Sequence, residues 1–230
     1  MQRTHDGGKS WQDIRLEVDA LPDFFDESHW YAVNDGKFLV TDDAGKIWRE
    51  TPIPQLEFVT QVLFLSRDVG WVVSTDLKAV AVSRTVDGGR TWTEARLTTA
   101  EPVSRVTDLF FLDATHGWLA AEYGLDEHGH GGSHLFSTVD GGATWVPEPD
   151  LSFGGEHRYM GPVRFLSPKT GFIFERIAEG AKIRNALVYT TDGGTAWRSV
   201  SLPRLVSACQ IFEGDLRCSA GFSILTIHPK

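Results

Sequence analysis

Residues 85–92 read TVDGGRTW, and four other stretches of the 230-residue chain repeat this octet closely: 4–11 (THDGGKSW), 41–48 (TDDAGKIW), 138–145 (TVDGGATW) and 190–197 (TTDGGTAW). We number these octets boxes one to five along the chain. The third position is Asp, which can accept hydrogen bonds from its own turn, and the fifth is Gly, which tolerates a positive φ. Each box therefore predicts a tight hairpin turn, and its closing Trp is expected to anchor the outgoing strand by burial.

A second repeated signal lies ahead of the boxes. It is an apolar segment ending in Phe, followed six residues later by Gly and then directly by an aromatic residue. Its full copies lie at 64–71, 111–118 and 165–172, and a shorter version lies at 25–30. Each unit reads as a meander of four short strands. Repetition of such units predicts an all-β fold, a β-propeller of four-stranded antiparallel blades.

The two ends of the chain read as parts of one blade. Residues 204–230 contain three short apolar segments, 208–212, 216–220 and 222–227, with no box after them. Residues 1–20 contain a box and one alternating segment, 14–18, without the three strands that should precede them. We expect residues 1–20 to complete the last blade with 204–230, so that 1–230 is a single propeller domain of five blades with about 46 residues each.

Composition excludes several classes of protein. The chain is 41% hydrophobic and 23% charged, which is ordinary for a soluble globular protein. Its formal net charge is −9 and its basic residues are dispersed, so we expect no nucleic-acid partner. No apolar run is long enough to predict membrane insertion, and no leader is recognisable at the start of this chain. We expect a monomer.

The octets resemble the Asp-box (BNR) repeat, SxDxGxTW, of sialidases, xyloglucanases, sortilin-type receptors and photosystem II stability/assembly-factor-like proteins. A Gly-aromatic pair followed by a TxDGGxTW box is most similar to the photosystem II assembly-factor-like group. In these families each box is the turn between the third and fourth strands of a blade, remote from the ligand face. The resemblance implies a structural, non-catalytic role for the box residues Asp6, Asp43, Asp87, Asp140, Asp192, Trp11, Trp48, Trp92, Trp145 and Trp197.

Boxes two and five depart from the repeat. Ile47 and Ala196 stand where Ser or Thr is expected, and Ala44 replaces the usual first Gly of box two. We therefore expect boxes two and five to be the looser turns.

The two cysteines of the chain flank a predicted hairpin turn at 213–214. Counting outward from that turn places Cys209 directly opposite Cys218, in a non-hydrogen-bonded pair where β-carbons lie closest. We expect a disulfide, and hence an extracytoplasmic location, secreted or periplasmic. The alternative is two reduced cysteines packed as small apolar groups on one face of a sheet.

Blade three carries a His-rich insertion at 125–134, LDEHGHGGSH. Imidazole and carboxylate groups are ligands for divalent transition metals such as Zn²⁺, which makes Asp126, His128, His130 and His134 candidate metal ligands. No other cofactor is predicted. The alternative interpretation is a solvated Gly-rich loop.

Loop lengths indicate blades three and four as the ligand-binding part of the propeller. The second-strand aromatic residue precedes the box Asp by 22 and 20 residues in these blades, against 13 and 16 in blades one and two. Loops between second and third strands share a face with the blade-to-blade connections, and function is usually carried there. We expect a charged loop at 175–184 and a connection at 154–159 to supply the contact residues Glu156, His157, Arg158, Tyr159, Arg176 and Arg184.

Two classes of function fit these features, with metal binding through the His-rich loop as a third. The first is a non-catalytic binding or scaffold propeller that recognises a protein or glycan partner through the loops of blades three and four. The second is a sialidase-like glycoside hydrolase, which needs an arginine cluster and a Tyr nucleophile with a carboxylate partner. The Arg-Ile-Pro motif of sialidases is absent, and its nearest approach is at 176–178. The binding protein is therefore the favoured interpretation, and enzymatic activity is left open.

Overall fold

The computed structural model describes residues 2–4, 6–13, 22–34, 37–54, 58–76, 79–97, 103–123, 132–148, 157–179, 182–202, 206, 208–212, 215–220 and 223–227. Within these residues every regular element is a β-strand and every strand pair is antiparallel. The prediction of an all-β fold is confirmed. Among the same residues no helix is long and apolar enough to cross a membrane.

Four sheets have four strands each, in sequence order, and we call them blades one to four. Their strands are β3 (Asp23–Phe24), β4 (Trp30–Asn34), β5 (Lys37–Thr41) and β6 (Arg49–Pro52) in blade one; β7 (Phe58–Phe64), β8 (Gly70–Thr75), β9 (Val80–Thr85) and β10 (Thr93–Leu97) in blade two; β11 (Val103–Phe111), β12 (Gly117–Tyr123), β13 (Gly132–Thr138) and β14 (Val146–Pro147) in blade three; and β15 (His157–Phe165), β16 (Gly171–Glu179), β17 (Lys182–Thr190) and β18 (Arg198–Leu202) in blade four. Each blade is the predicted meander, with its box between the third and fourth strands.

The ends of the chain form two smaller sheets. Strands β1 (Gln2–Arg3) and β2 (Gln12–Asp13) pair across box one, and β19 (Ala208–Phe212), β20 (Asp215–Ala220) and β21 (Ser223–Ile227) form a three-stranded sheet that we call the terminal sheet. The three predicted C-terminal strands are therefore present. The predicted strand at 14–18 lies outside the described residues, so the model does not confirm a count of five blades.

The six-residue spacing from Phe to Gly has a packing cause. Phe64 lies directly across the strand pair from Gly70, and the same cross-strand pairing joins Phe111 to Gly117. A β-carbon at either Gly would overlap the ring of its partner Phe. The Phe ring lies on the backbone of the Gly, which only a residue without a side chain allows.

Aromatic stacking joins each blade to the next. The ring of Trp71 in blade two stacks on Phe111 in blade three, with centroids 3.6 Å apart, and Trp118 stacks on Phe165 in blade four at 3.5 Å. Trp71 also donates its indole N–H to the Gly141 carbonyl in box four, at 2.8 Å. The first strands β7, β11, β15 and β19 contact one another in order, so they form the inner row of the assembly.

The tryptophans that anchor the core are those of the Gly-aromatic pairs rather than those of the boxes. Trp71 is 0% exposed and Trp118 is 5% exposed, whereas the four box tryptophans of blades one to four are only half-buried and Trp11 is 60% exposed. The expectation of five buried box anchors was therefore wrong. Box tryptophans begin the outer strand of a sheet, where a ring such as that of Trp145 packs edge-on against Phe111 and leaves its other side to solvent.

The hairpin of β19 and β20 has the predicted register. Phe212 pairs with Asp215, and Cys209 pairs with Cys218. The two cysteines form a disulfide with a Cα–Cα separation of 4.1 Å, and both are buried. A disulfide is typical of proteins in oxidising compartments, which supports an extracytoplasmic location.

Candidate functional site

The box carboxylates are occupied by their own turns. In box three the Asp87 carboxylate accepts hydrogen bonds from the Thr85 hydroxyl, the Thr91 amide and the Thr91 hydroxyl, at 2.7 to 2.9 Å. The Thr85 hydroxyl oxygen in turn accepts the Gly89 amide at 2.9 Å. Boxes one and four repeat all four bonds, through Ser10 and Thr144. Boxes two and five lack the hydroxyl bond because Ile47 and Ala196 have no hydroxyl.

These bonds favour the ionised carboxylate. The Thr91 hydroxyl and amide lower the pKa of Asp87 to about 2, and the Thr144 hydroxyl and amide do the same for Asp140. In box two the backbone amide of Ile47 is the largest cause of a lowered pKa for Asp43. A carboxylate that stays ionised and accepts bonds only from its own turn is suited to hold that turn and is unsuited to donate a proton.

The boxes share one face with the turns between first and second strands, and we call it the box face. In blade two the Gly88 amide donates to the Asp68 carbonyl at 3.0 Å, and in blade three the Gly141 amide donates to the Thr115 carbonyl at 2.8 Å. The strands then end on the opposite face at Tyr123 in blade three and at Glu179 in blade four. We call this the far face.

The predicted blade-four loop is a strand hairpin. Residues 175–184, expected to form a solvated loop, belong largely to β16 and β17, and the Arg176 and Arg184 backbones pair with Asn185 and Ile177. The mixed charges hid an alternation in burial, since Glu175 and Ile177 are buried while Arg176 is exposed. The predicted connection at 154–159 was wrong for its last three residues, which begin β15.

A cleft of about 170 Å³ lies between blades three and four toward the far face. Blade four supplies most of its wall, with β16 and β17 at its centre, and blade three supplies Arg105 and Glu122. The lining residues are Arg105, Glu122, Tyr159, Met160, Gly161, Phe174, Glu175, Arg176, Asn185, Ala186, Leu202 and Val206. The extended strands of blade four therefore form a concave surface in place of a loop.

Two buried carboxylates line this cleft. Glu122 is 1% exposed, and both of its oxygens accept bonds from one Arg105 nitrogen, at 3.0 and 2.9 Å. Glu175 is 2% exposed. Beside them stand the phenol of Tyr159, the exposed guanidinium of Arg176 and the amide of Asn185. The cleft thus presents acceptors, donors and charges of both signs to a polar ligand.

A half-buried ion pair joins the blades on either side of the cleft. Asp108 on β11 accepts the Val163 amide and the Arg164 guanidinium of β15, both at 2.7 Å. Arg164 also donates to the Cys209 carbonyl of the terminal sheet at 3.0 Å. Burial raises the pKa of Asp108, while Arg164 opposes that change by favouring the carboxylate. Three consecutive sheets are therefore joined by one guanidinium.

The structure brings two of the six predicted contact residues, Tyr159 and Arg176, into the cleft. Arg184 is half-buried on β17 and does not line it. His157 and Arg158 lie on β15, where only their backbone is described, and Glu156 lies outside the described residues. The sequence interpretation missed Arg105, Glu122, Glu175 and Asn185. A charged residue within the apolar strand segments GWLAAEY and GFIFE was the available signal for the two glutamates.

Only one of the four candidate metal ligands is described. The His134 imidazole stacks on the Tyr123 ring at the end of the blade-three hairpin, with centroids 4.0 Å apart. Asp126, His128 and His130 lie outside the described residues. In the part of the chain that is described, no group of three or more His, Cys, Asp or Glu could hold a metal ion.

Comparisons with known proteins identify the fold. No family model and no curated protein matches the chain. Among solved structures, YCF48 from Cyanidioschyzon merolae is similar over 99% of this chain and 76% of its own length, at 15% identity and a TM-score of 0.69. A GH74 xyloglucanase from Xanthomonas campestris is similar over 86% of this chain and 34% of its own, at 18% identity and a TM-score of 0.54.

A third similar structure is an α-L-arabinofuranosidase from Fusarium graminearum. It matches 86% of this chain and 72% of its own length, at 14% identity and a TM-score of 0.51. Identities this low carry the fold and nothing finer. At that level the comparisons confirm the fold that the resemblance implied, a β-propeller of four-stranded antiparallel blades similar to that of YCF48.

Proposed function

We propose that this chain is a non-catalytic binding propeller whose far face, at blades three and four, recognises a protein or glycan partner. The cleft that contains Tyr159, Glu175 and Arg176 is the observation that carries the proposal. It is concave, it combines apolar walls with convergent polar groups, and rigid strands position those groups. On the opposite face, the Asp carboxylates of the boxes hold their own turns. We therefore assign partner recognition to the far face.

A photocross-linking experiment tests the recognition surface. A benzophenone amino acid at position 176 should capture a partner in native extract, whereas the same group at Arg198, exposed on the outer strand β18, should not. With that partner purified, Tyr159→Ala and Arg176→Ala should each weaken binding about tenfold, since each removes a contact of hot-spot type. Equal capture at both positions, or unchanged binding by both variants, would show that the surface is wrong.

The competing function is glycoside hydrolysis, and the residues that line the cleft are the reason to test it. Two buried carboxylates, a Tyr and two Arg are the residue types that such chemistry uses. Assays with a fluorogenic sialoside, a fluorogenic α-L-arabinofuranoside and a panel of β-glucans separate the two functions. The binding proposal predicts no turnover. Turnover that disappears in Tyr159→Phe or in the isosteric Glu175→Gln would replace it with an enzyme.

The propeller is proposed to have five blades closed by its own termini. Apolar side chains are exposed on the first and last sheets of the row: Phe24 is 52% exposed on blade one, and Phe212 and Ile224 are 50% and 75% exposed on the terminal sheet. Contact between these faces would bury all three. Residues 14–18 would then add the fourth strand to β21. We also propose that the protein is a monomer and that it is exported to a secreted or periplasmic location, where its disulfide persists.

A further inference from the structure

A second pocket, of about 120 Å³, lies on the box face between blades one and two. Its charged and titratable lining consists of Arg49, Arg67, Arg90, His29, Asp42 and Asp68. It is on the opposite side of the molecule from the cleft of blades three and four. The pocket therefore has no part in the recognition surface proposed above.

Backbone carbonyls of box three orient two of the guanidinium groups. Arg49 reaches from β6 of blade one and donates to the Gly88 carbonyl at 3.2 Å, and Arg90 donates to the Asp87 carbonyl at 2.8 Å. Within the described residues neither forms an ion pair with a carboxylate. Both positive charges are thus held in place by neutral acceptors.

The third guanidinium is held by a turn of blade one. Arg67 pairs with the Asp26 carboxylate and donates to Nε2 of His29 at 2.8 Å. Nδ1 of the same imidazole lies 2.8 Å from the Asp26 carboxylate, so His29 bridges Asp26 and Arg67. The hydrogen bond from His29 is the largest cause that lowers the pKa of Asp26. This network fixes Arg67 at the edge of the pocket.

The two carboxylates that line the pocket oppose an anion only weakly. The Asp42 side chain is 71% exposed and lies 3.4 Å from Nε2 of His29, and Asp68 is also exposed. Water screens exposed charges strongly, whereas the half-buried Arg49 is screened less. The guanidinium groups also carry forked donors that match oxyanion geometry.

We propose that this pocket binds a tetrahedral oxyanion, a phosphate or sulfate group, between Arg49 and Arg90 with Arg67 beside it. The volume accommodates the ion itself or the same group borne by a small ester. Guanidinium groups held in place before the ligand arrives lose little freedom on binding, which favours a compact, multiply charged anion over a single carboxylate.

Calorimetric titration of the full chain tests this site in chloride buffer of constant ionic strength. Inorganic phosphate, inorganic sulfate and phenyl phosphate are the probes, and acetate is the carboxylate comparison. Saturable binding of phosphate or sulfate, with none for acetate, is the expected result. The phenyl ester separates the two sources: tighter binding than phosphate assigns the site to an organic ester, and weaker binding assigns it to the free ion. No saturable binding, or equal binding of acetate, overturns the proposal.

Variants locate the site. Arg90→Gln should weaken phosphate binding about tenfold, since a charge-assisted bond is lost, and Asp42→Asn should strengthen it about threefold by removing a nearby negative charge. The matched control is Arg96→Gln, whose guanidinium pairs with Glu94 on β10 instead of facing the pocket. Arg90 donates to the Asp87 carbonyl of its own turn, whereas the hydrogen bond between blades one and two comes from Arg49, so Arg90→Gln leaves that bond in place. Unchanged phosphate affinity in Arg90→Gln, or a loss of affinity in Arg96→Gln as large as that in Arg90→Gln, would place binding elsewhere.

Discussion

A single hydroxyl group distinguishes boxes one, three and four from boxes two and five. Thr91 and Thr144 each donate a hydroxyl bond to the second oxygen of their box Asp, and Ser10 does so in box one. Ile47 in box two cannot, and its side chain is 73% exposed. The repeat pattern alone predicted this difference, because the hydrogen-bond donors and acceptors of a box all lie within its eight consecutive residues.

Ile47→Thr should raise the melting temperature. The substitution supplies the missing donor to Asp43 and removes an exposed apolar side chain without disturbing any packed group. The reverse change, Thr144→Val, should lower the melting temperature by removing the same bond from box four. Thermal unfolding followed by circular dichroism measures both. A fall for Ile47→Thr, with no fall for Thr144→Val, would contradict this account of the box.

The box carboxylates also predict how stability depends on pH. The folded-state pKa values of Asp87 and Asp140 are about 2, below the ordinary carboxyl value of 3.8. A depressed carboxylate pKa contributes stability that is fully present well above pH 4 and is lost as the pH falls from about 4 toward 2. Urea unfolding across this range should show that loss. Asp140→Asn should be less stable at pH 7 and should lose less on acidification; an unchanged acid slope would argue against the assignment.

At the scale of the element, sequence position and strand register explain the terminal hairpin. The disulfide follows from the turn at 213–214, which places Cys209 across from Cys218. Local sequence was misleading in blade four, where the mixed charges at 175–184 were interpreted as a loop. Glu175 lines the cleft that Arg105 and Glu122 of blade three complete, so the apolar segment GFIFE indicated its burial but not its neighbours.

The double variant Cys209→Ser with Cys218→Ser should lower the free energy of unfolding by roughly 2 to 3 kcal/mol, the chain-entropy value for a short loop. Equilibrium urea denaturation gives that difference. Alkylation of the unfolded, unreduced wild type, followed by mass spectrometry, should add no label. Addition of two labels would show that the bond does not form.

Across the assembled sheets, stacking between blades and one half-buried ion pair hold successive sheets together. Trp71 and Trp118 each lie on a Phe of the next blade, and Arg164 ties blade three to the terminal sheet. These contacts repeat from blade to blade. The first and last sheets of the row, blade one and the terminal sheet, carry the exposed apolar side chains of Phe24, Phe212 and Ile224, which is the basis for proposing ring closure.

A double-mutant cycle on Phe24 and Phe212 tests closure. If the two end faces meet, these rings lie in one interface and their substitutions by Ala should couple by about 0.5 to 1.5 kcal/mol in unfolding free energy. Phe24 with Phe58, a pair of similarly exposed rings on blades one and two, provides the comparison. Additive effects for Phe24 and Phe212, or a dimer by light scattering, would contradict closure within one chain.

Local sequence patterns were sufficient for the box turns, the register of the disulfide hairpin and the four-strand meander of each blade, but not for the strand pairing at 175–184. The first three depend on residues that are neighbours along the chain, so hydrogen-bonding capacity, glycine placement and alternation specify them. Only the tertiary structure decided which tryptophans anchor the core and which charged residues share a cleft or a pocket. Trp71, Glu122 with Glu175, and Arg49 with Arg90 acquire their surroundings from a different blade, and the geometry between blades is set by packing that no local pattern encodes.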